Sequence, residues 1–125
     1  MASRLTNITI DCDDVLKLAH FWSAVLGRPL DAGANAFFAS IGASDEAQEG
    51  PAWYFNKVHE PKRAKNSVHL DLVNRDPSAV RELVGYGASI VAEHELRGAG
   101  GDWTVLQDPE GNELCIAVNS FTRRD

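Results

Sequence analysis

The chain carries one pattern twice, and this duplication restricts its fold more than any other feature. A strand-like segment, Asn7-Ile8-Thr9-Ile10-Asp11-Cys12, runs through Asp13-Asp14 into an apolar helical stretch that stops at Leu26-Gly27. His69 follows Asn7 by 62 residues, and its segment Val68-His69-Leu70-Asp71-Leu72-Val73 leads into a second helical stretch ending at Tyr86-Gly87-Ala88. Both halves finish in further short strands. A unit of this size cannot bury its sheet alone, so two copies are expected to pack together and share a cleft.

The periodicities fill in each copy. Ile8, Ile10 and Cys12 alternate with Asn7, Thr9 and Asp11, as a strand with one apolar face requires. Asp13 or Asp14 can cap the helix that follows. Val15, Leu18, Ala19, Trp22, Val25 and Leu26 recur at helical spacing, and Gly27 ends the run. Two short strands, Arg28 to Asp31 and Ala36 to Ile41, precede the loop Gly42 to Pro51, and the strand Trp53 to Val58 closes the first half. The second half reads as strand Ser67 to Val73, a helix opened by Asp76-Pro77, and strands Ala88 to Glu93, Trp103 to Gln107 and Glu113 to Val118. In that helix Val80, Leu83 and Val84 form the expected buried stripe. Glu95 to Gly101 is a hairpin loop, and Asp108-Pro109-Glu110-Gly111-Asn112 is a turn rather than a catalytic box.

The fold class is therefore α+β: two βαβββ modules forming a curved mixed sheet around a central cleft. At 125 residues the chain is expected to be a single domain, with module one at about 5–58, a linker at 59–66 and module two at about 67–118. Twelve basic against eighteen acidic residues give a net charge of −6, which argues against a nucleic-acid or anionic-membrane partner. No apolar run approaches the roughly 18 residues of a membrane span. The N-terminus has no signal-peptide pattern, so a cytoplasmic location is expected. Cys12 and Cys115 both fall in predicted strands and read as reduced thiols.

These residues resemble the vicinal oxygen chelate superfamily, which includes glyoxalase I, bleomycin-resistance proteins and extradiol dioxygenases. The likeness is carried by Phe21-Trp22 with Leu26-Gly27, by Val68-His69-Leu70-Asp71-Leu72, by Gly87-Ala88 and by Asp108 to Cys115. The small glyoxalase-like proteins match best, because their Lys-Asn-x-x-His-x-Asp segment resembles Lys65 to Asp71. For metal-using members the resemblance implies four ligands, at positions falling on Asn7, on or near Asn56, on His69 and on Cys115. Only His69 suits such a site well: asparagine is a weak neutral ligand, and cysteine favours softer ions. No metal or other cofactor is therefore assigned, with one divalent ion as the alternative.

On this reading His69 and Asp71 are the candidate catalytic residues, since imidazole is suited to proton transfer and the carboxylate lies on the same strand face. Asp71 is otherwise expected to cap the linker or to pair with Lys65. Asn7, Tyr54, Asn56, Glu113 and Cys115 are the candidate ligand-binding residues. Phe37, Phe38 and Trp103 either line the pocket beside Tyr54 or belong to the core.

The partner is a small organic molecule, and whether it is turned over stays open among three readings. The preferred one is binding in the cleft with metal-independent proton transfer next to a carbonyl, Asn7 or Asn56 donating to the developing oxyanion. The others are a metal-dependent lyase, isomerase or dioxygenase using His69, and a non-catalytic protein that sequesters a drug or metabolite. Because relatives of this kind often pair, a homodimer is left open as a partner, and so is a domain-swapped arrangement across residues 59–66.

Overall fold

The computed structural model describes residues 2–43, 50–96 and 101–117, with the backbone alone for 94–96, 101 and 102. The loop Gly42 to Pro51, the hairpin loop Glu95 to Gly101 and the end of the strand Glu113 to Val118 fall partly outside these residues. The chain divides into two units, Met1–Lys62 and Arg63–Asp125.

In the first unit, β1 (Asn7–Cys12) leads into α1 (Val15–Leu26), followed by β2 (Phe38–Ile41) and β3 (Ala52–Lys57). The cap is Asp14, whose side chain accepts the Lys17 N–H at 3.1 Å, and Gly27 closes the helix in the left-handed region at φ 65°. The helix lets β1 and β3 run parallel; β2 pairs with β3 antiparallel, giving the order β1-β3-β2. Register settles which side chains share a face. Ile8, Ile10 and Cys12 lie beside Trp53, Phe55 and Lys57, while Asn7, Thr9 and Asp11 lie beside Ala52, Tyr54 and Asn56. The apolar set meets α1: Trp22 sits 4.7 Å from Trp53 between ring centroids, and Val15, Leu18, Phe21, Ile41 and Phe55 are buried.

One expected strand does not form. Of Arg28 to Asp31, Leu30 alone bridges to Ile41. Pro29 brings no N–H to a ladder, and the chain turns at Gly33, φ 93°. Asp31 is instead a local anchor, accepting the Ser40 hydroxyl at 2.7 Å and the N–H groups of Ala43 and Gly42 at 2.9 and 3.2 Å.

That anchor carries a pH prediction. Partial burial works against ionisation, but the Ser40, Ala43 and Gly42 hydrogen bonds and the Arg28 charge outweigh it, holding the carboxyl below its ordinary 3.8. A depressed folded-state pKa stabilises above the unfolded value and loses that contribution as pH falls through the folded one. Asp31→Asn should therefore melt below wild type at pH 6 and converge with it as pH drops below 3.8. An unchanged melting gap between pH 6 and pH 2.5 would count against this anchor.

The second unit follows the same plan with one strand more: β4 (Leu70–Val73), α2 (Ala79–Tyr86), β5 (Ser89–Leu96), β6 (Gly101–Gln107) and β7 (Glu113–Ala117), in the order β4-β7-β6-β5. Again the first and last strands are parallel. Leu70 and Leu72 lie beside the buried Leu114 and Ile116. The helix starts later than Asp76-Pro77, because the Asp76 carboxylate accepts the Ser78 N–H and hydroxyl at 2.9 and 2.8 Å and holds a turn there. Its buried residues are Ala79 and Leu83, whereas Val84 from the expected stripe is exposed. Strand β4 is also shorter than expected and begins one residue after His69.

Candidate functional site

The second sheet has an open face, and register says what stands on it. Asp71 is opposite Cys115, and Val105 and Gln107 of β6 lie beside Cys115 and Glu113. His69, two residues before Asp71, projects to the same side. Its Nδ1 lies 3.3 Å from Asp71 Oδ1 and 3.9 Å from Cys115 Sγ. The three donor atoms all fall within 4.8 Å of one another, the only such gathering of three or more His, Cys, Asp or Glu among the described residues. His69 and Asp71 are exposed, with side chains 45% and 71% accessible, so the cluster is open to solutes.

The electrostatics are lopsided. Burial pushes the Cys115 thiol upward, and the charge and hydrogen bond of Asp71 and the charge of Glu113 push it further, with Lys65 opposing. Cys115 is thus a poor nucleophile as it stands. The trio is not a relay either. A nucleophile–histidine–carboxylate relay uses both ring nitrogens, one for each partner, whereas here Asp71 and Cys115 approach the same Nδ1. Donors converging on one point form a cation-binding arrangement.

Lys65 does not pair with Asp71. Its Nζ lies 3.5 Å from Glu113 Oε1, and Asp71 faces His69 instead. The parallel register explains the exchange, because Glu113 precedes Cys115 by two residues as His69 precedes Asp71, on either side of the Leu70–Leu114 pair.

Two residues that the sequence reading left without a role help to hold the site. Asn66 Nδ2 donates to Asn112 Oδ1 at 3.0 Å, tying the segment before His69 to the turn between β6 and β7. The Lys65-Asn66 pair was visible as a motif, but its partners, 46 and more residues away, were not.

Trp103 of β6 stands opposite Ala117 on the face that carries Val105 and Cys115, and is half-buried. The remaining candidates lie in the first unit and form no comparable group. Asn7 is engaged locally, accepting from the Thr6 hydroxyl and donating to the Thr9 hydroxyl, each at 2.9 Å. It stands opposite Ala52, four rows from Asn56, which is about 13 Å along a strand. These two family ligand positions are therefore not brought together within their sheet. Tyr54 packs on Phe38 at 5.5 Å between ring centroids, on the face that also carries Asp11 and Asn56. Phe37 and Phe38 are both exposed and so are not core. Cys12 is buried, its thiol 3.6 Å from the Asn56 carbonyl.

A family model described as a glyoxalase-like domain matches residues 7–117. The chain belongs to that family. The solved structures it is similar to include a glyoxalase/bleomycin resistance protein/dioxygenase family enzyme from Burkholderia phytofirmans, in line with the resemblance carried by the sequence motifs. A glyoxalase-related enzyme from Fulvimarina pelagi is 18% identical, with a TM-score of 0.72 over 94% of this chain and 89% of that one. The fosfomycin resistance protein FosX from Mesorhizobium loti is 13% identical, with a TM-score of 0.67 over 95% and 94%. Lactoylglutathione lyase from Agrobacterium tumefaciens is 15% identical, at 0.59 over 93% of each chain. At these identities the likeness establishes the fold and leaves the chemistry to the residues. No curated protein matches the sequence significantly. Among the described residues of this glyoxalase-like chain, no helix is long and apolar enough to cross a membrane.

Proposed function

We propose that the protein binds a small organic molecule over the open face of its second sheet and acts on it beside a divalent metal held by His69, Asp71 and Cys115. The observation that carries this reading is the convergence of a nitrogen, a carboxylate oxygen and a sulfur within 4.8 Å on an accessible face. The donor set suits a metal: three protein ligands with room for a further group make an open, catalytic type of site. When bound, such an ion supplies Lewis-acid polarisation of a carbonyl or similar oxygen. The chain's own residues do the rest. Lys65 neutralises Glu113 beside the site, and the Asn66–Asn112 bond holds the approach to His69. A lyase and a fosfomycin resistance protein among the structural neighbours make small-molecule chemistry a consistent class.

The experiment is elemental analysis of protein purified without chelator or affinity tag. Near-stoichiometric divalent metal is expected in wild type, with a loss of tenfold or more in His69→Ala at unchanged far-ultraviolet circular dichroism. Equal metal in both proteins, or no uptake on adding divalent ions, would refute the reading.

The metal-independent reading also has a specific observation behind it, the 3.3 Å approach of Asp71 to His69 Nδ1. That contact leaves Nε2 to take a proton next to a carbonyl, with Asp71 fixing the tautomer. Metal-free protein that exchanges such a proton into deuterated water, and loses the exchange in His69→Ala, would establish it. Metal-free protein that binds without turnover would make the function sequestration.

A further inference from the structure

We infer that the open face of the first sheet is a ligand site of its own, taking a flat aromatic cation between the Phe38–Tyr54 ring pair and the Asp11 carboxylate. Its residues all lie in the first unit, and it stands whether or not the second sheet holds a metal.

Register builds the site. Asp11, Asn56 and Phe38 form one row across β1, β3 and β2, and Thr9, Tyr54 and Ser40 form the row beside it. Phe38 and Tyr54 meet on the diagonal at 5.5 Å with their planes 58° apart, and Phe38 is 41% exposed. A carboxylate on one edge strand thus shares this face with a ring on the other, about 10 Å away across two strand spacings. The Asn56 amide stands between them. Asp11 is exposed, and its carboxylate, the Asn56 amide and the Tyr54 hydroxyl have no hydrogen-bond or ion-pair partner among the described residues. With one free carboxylate and no histidine or cysteine, the face is not built for a metal.

The surrounding charges set the sign of the ligand. None of the residues that β1, β2 and β3 place on this face is basic. Lys57 belongs to the Cys12 row, on the opposite face, and holds Asp13 at 3.0 Å. Asp31, which reaches Ser40 from the chain before β2, is taken up by Ser40, Ala43 and Gly42 and has the Arg28 charge near it. Asp11 is therefore the carboxylate left to meet a cation.

The rings favour the same sign, because aromatic faces are electron-rich and attract cations. An anion would be repelled by Asp11, and a neutral ring would gain stacking alone. A small ammonium ion would not reach from Asp11 to Phe38. A planar bicyclic cation with a hydrogen-bonding edge meets all three groups: ring on ring, charge at Asp11, edge at Asn56.

Titration of the full chain with 4-aminoquinoline, which is protonated at neutral pH, followed by amide proton–nitrogen NMR, tests this. Shifts are expected at residues 9–11, 38–40 and 54–56, with an affinity roughly tenfold above that of its uncharged counterpart 1-aminonaphthalene. Asp11→Asn should weaken 4-aminoquinoline binding roughly fivefold and leave 1-aminonaphthalene unchanged. Phe38→Leu should weaken the cation roughly threefold or more, with circular dichroism showing both variants folded. Equal affinities for the two probes, or no effect of Asp11→Asn, would overturn selection by charge and with it the inference. Shifts confined to residues 69–71 and 113–117 would put the cation on the second sheet and overturn the site. Absence of binding would overturn it outright.

Discussion

Trp22→Ala is expected to destabilise the first unit by about 3–5 kcal/mol. The indole is 1% exposed and central to a chain of rings: Phe21 meets it edge-on at 5.4 Å, Trp53 lies at 4.7 Å, and Phe55 continues the row 6.4 Å from Trp53. Truncation removes the transfer energy of a large aromatic and leaves a void between α1 and the sheet, where close packing leaves little to collapse into it. Whole domains are stable by about 5–15 kcal/mol, so this one change uses up a large share. Urea unfolding followed by the fluorescence of the remaining tryptophans measures it. A comparison with Phe37→Ala, an exposed ring expected to shift stability by no more than about 0.5 kcal/mol, controls for loss of aromatic area as such. A midpoint for Trp22→Ala as high as that of Phe37→Ala would show that the core had been misplaced.

Asp108→Ala is the second large effect, about 2–3 kcal/mol, and it works through hydrogen bonds rather than volume. Asp108 is buried, and its carboxylate accepts the N–H groups of Glu110 and Asn112 at 2.9 Å and the Asn112 side-chain amide at 3.0 Å. Alanine leaves those donors without their acceptor in a part-buried turn. The loss should also travel, because Asn112 is the residue that Asn66 grips three positions before His69. Hydrogen exchange should therefore rise at residues 63–69 as well as at 108–112. Faster exchange confined to the turn would disprove the link to His69, and an unchanged urea midpoint would disprove the turn's structural role.

The local elements were largely legible in the residues. Alternation in Asn7 to Cys12, helical spacing from Val15 to Leu26 with Asp14 and Gly27 at its ends, and the Asp108 to Asn112 turn each follow from short-range rules of side-chain direction and backbone conformation. The misses share a physical cause. Arg28 to Asp31 alternates acceptably, yet a strand also needs a partner ladder, and Pro29 with the turn at Gly33 denies it one beyond Leu30. Asp76-Pro77 is a good helix opening in isolation, but Ser78 captures the Asp76 carboxylate and moves the start to Ala79.

By itself, the sequence determined the twofold plan of a strand, a helix and further strands, the apolar face of each sheet, and which polar residues must look away from the helices. Those are set by periodicity within a few residues of chain. Tertiary structure alone decided that Lys65 serves Glu113 while Asp71 and Cys115 meet at one nitrogen of His69. The reason is register: which residues 40 or more apart stand level depends on how parallel β4 and β7 align, and a one-residue slip would turn every one of these side chains to the opposite face.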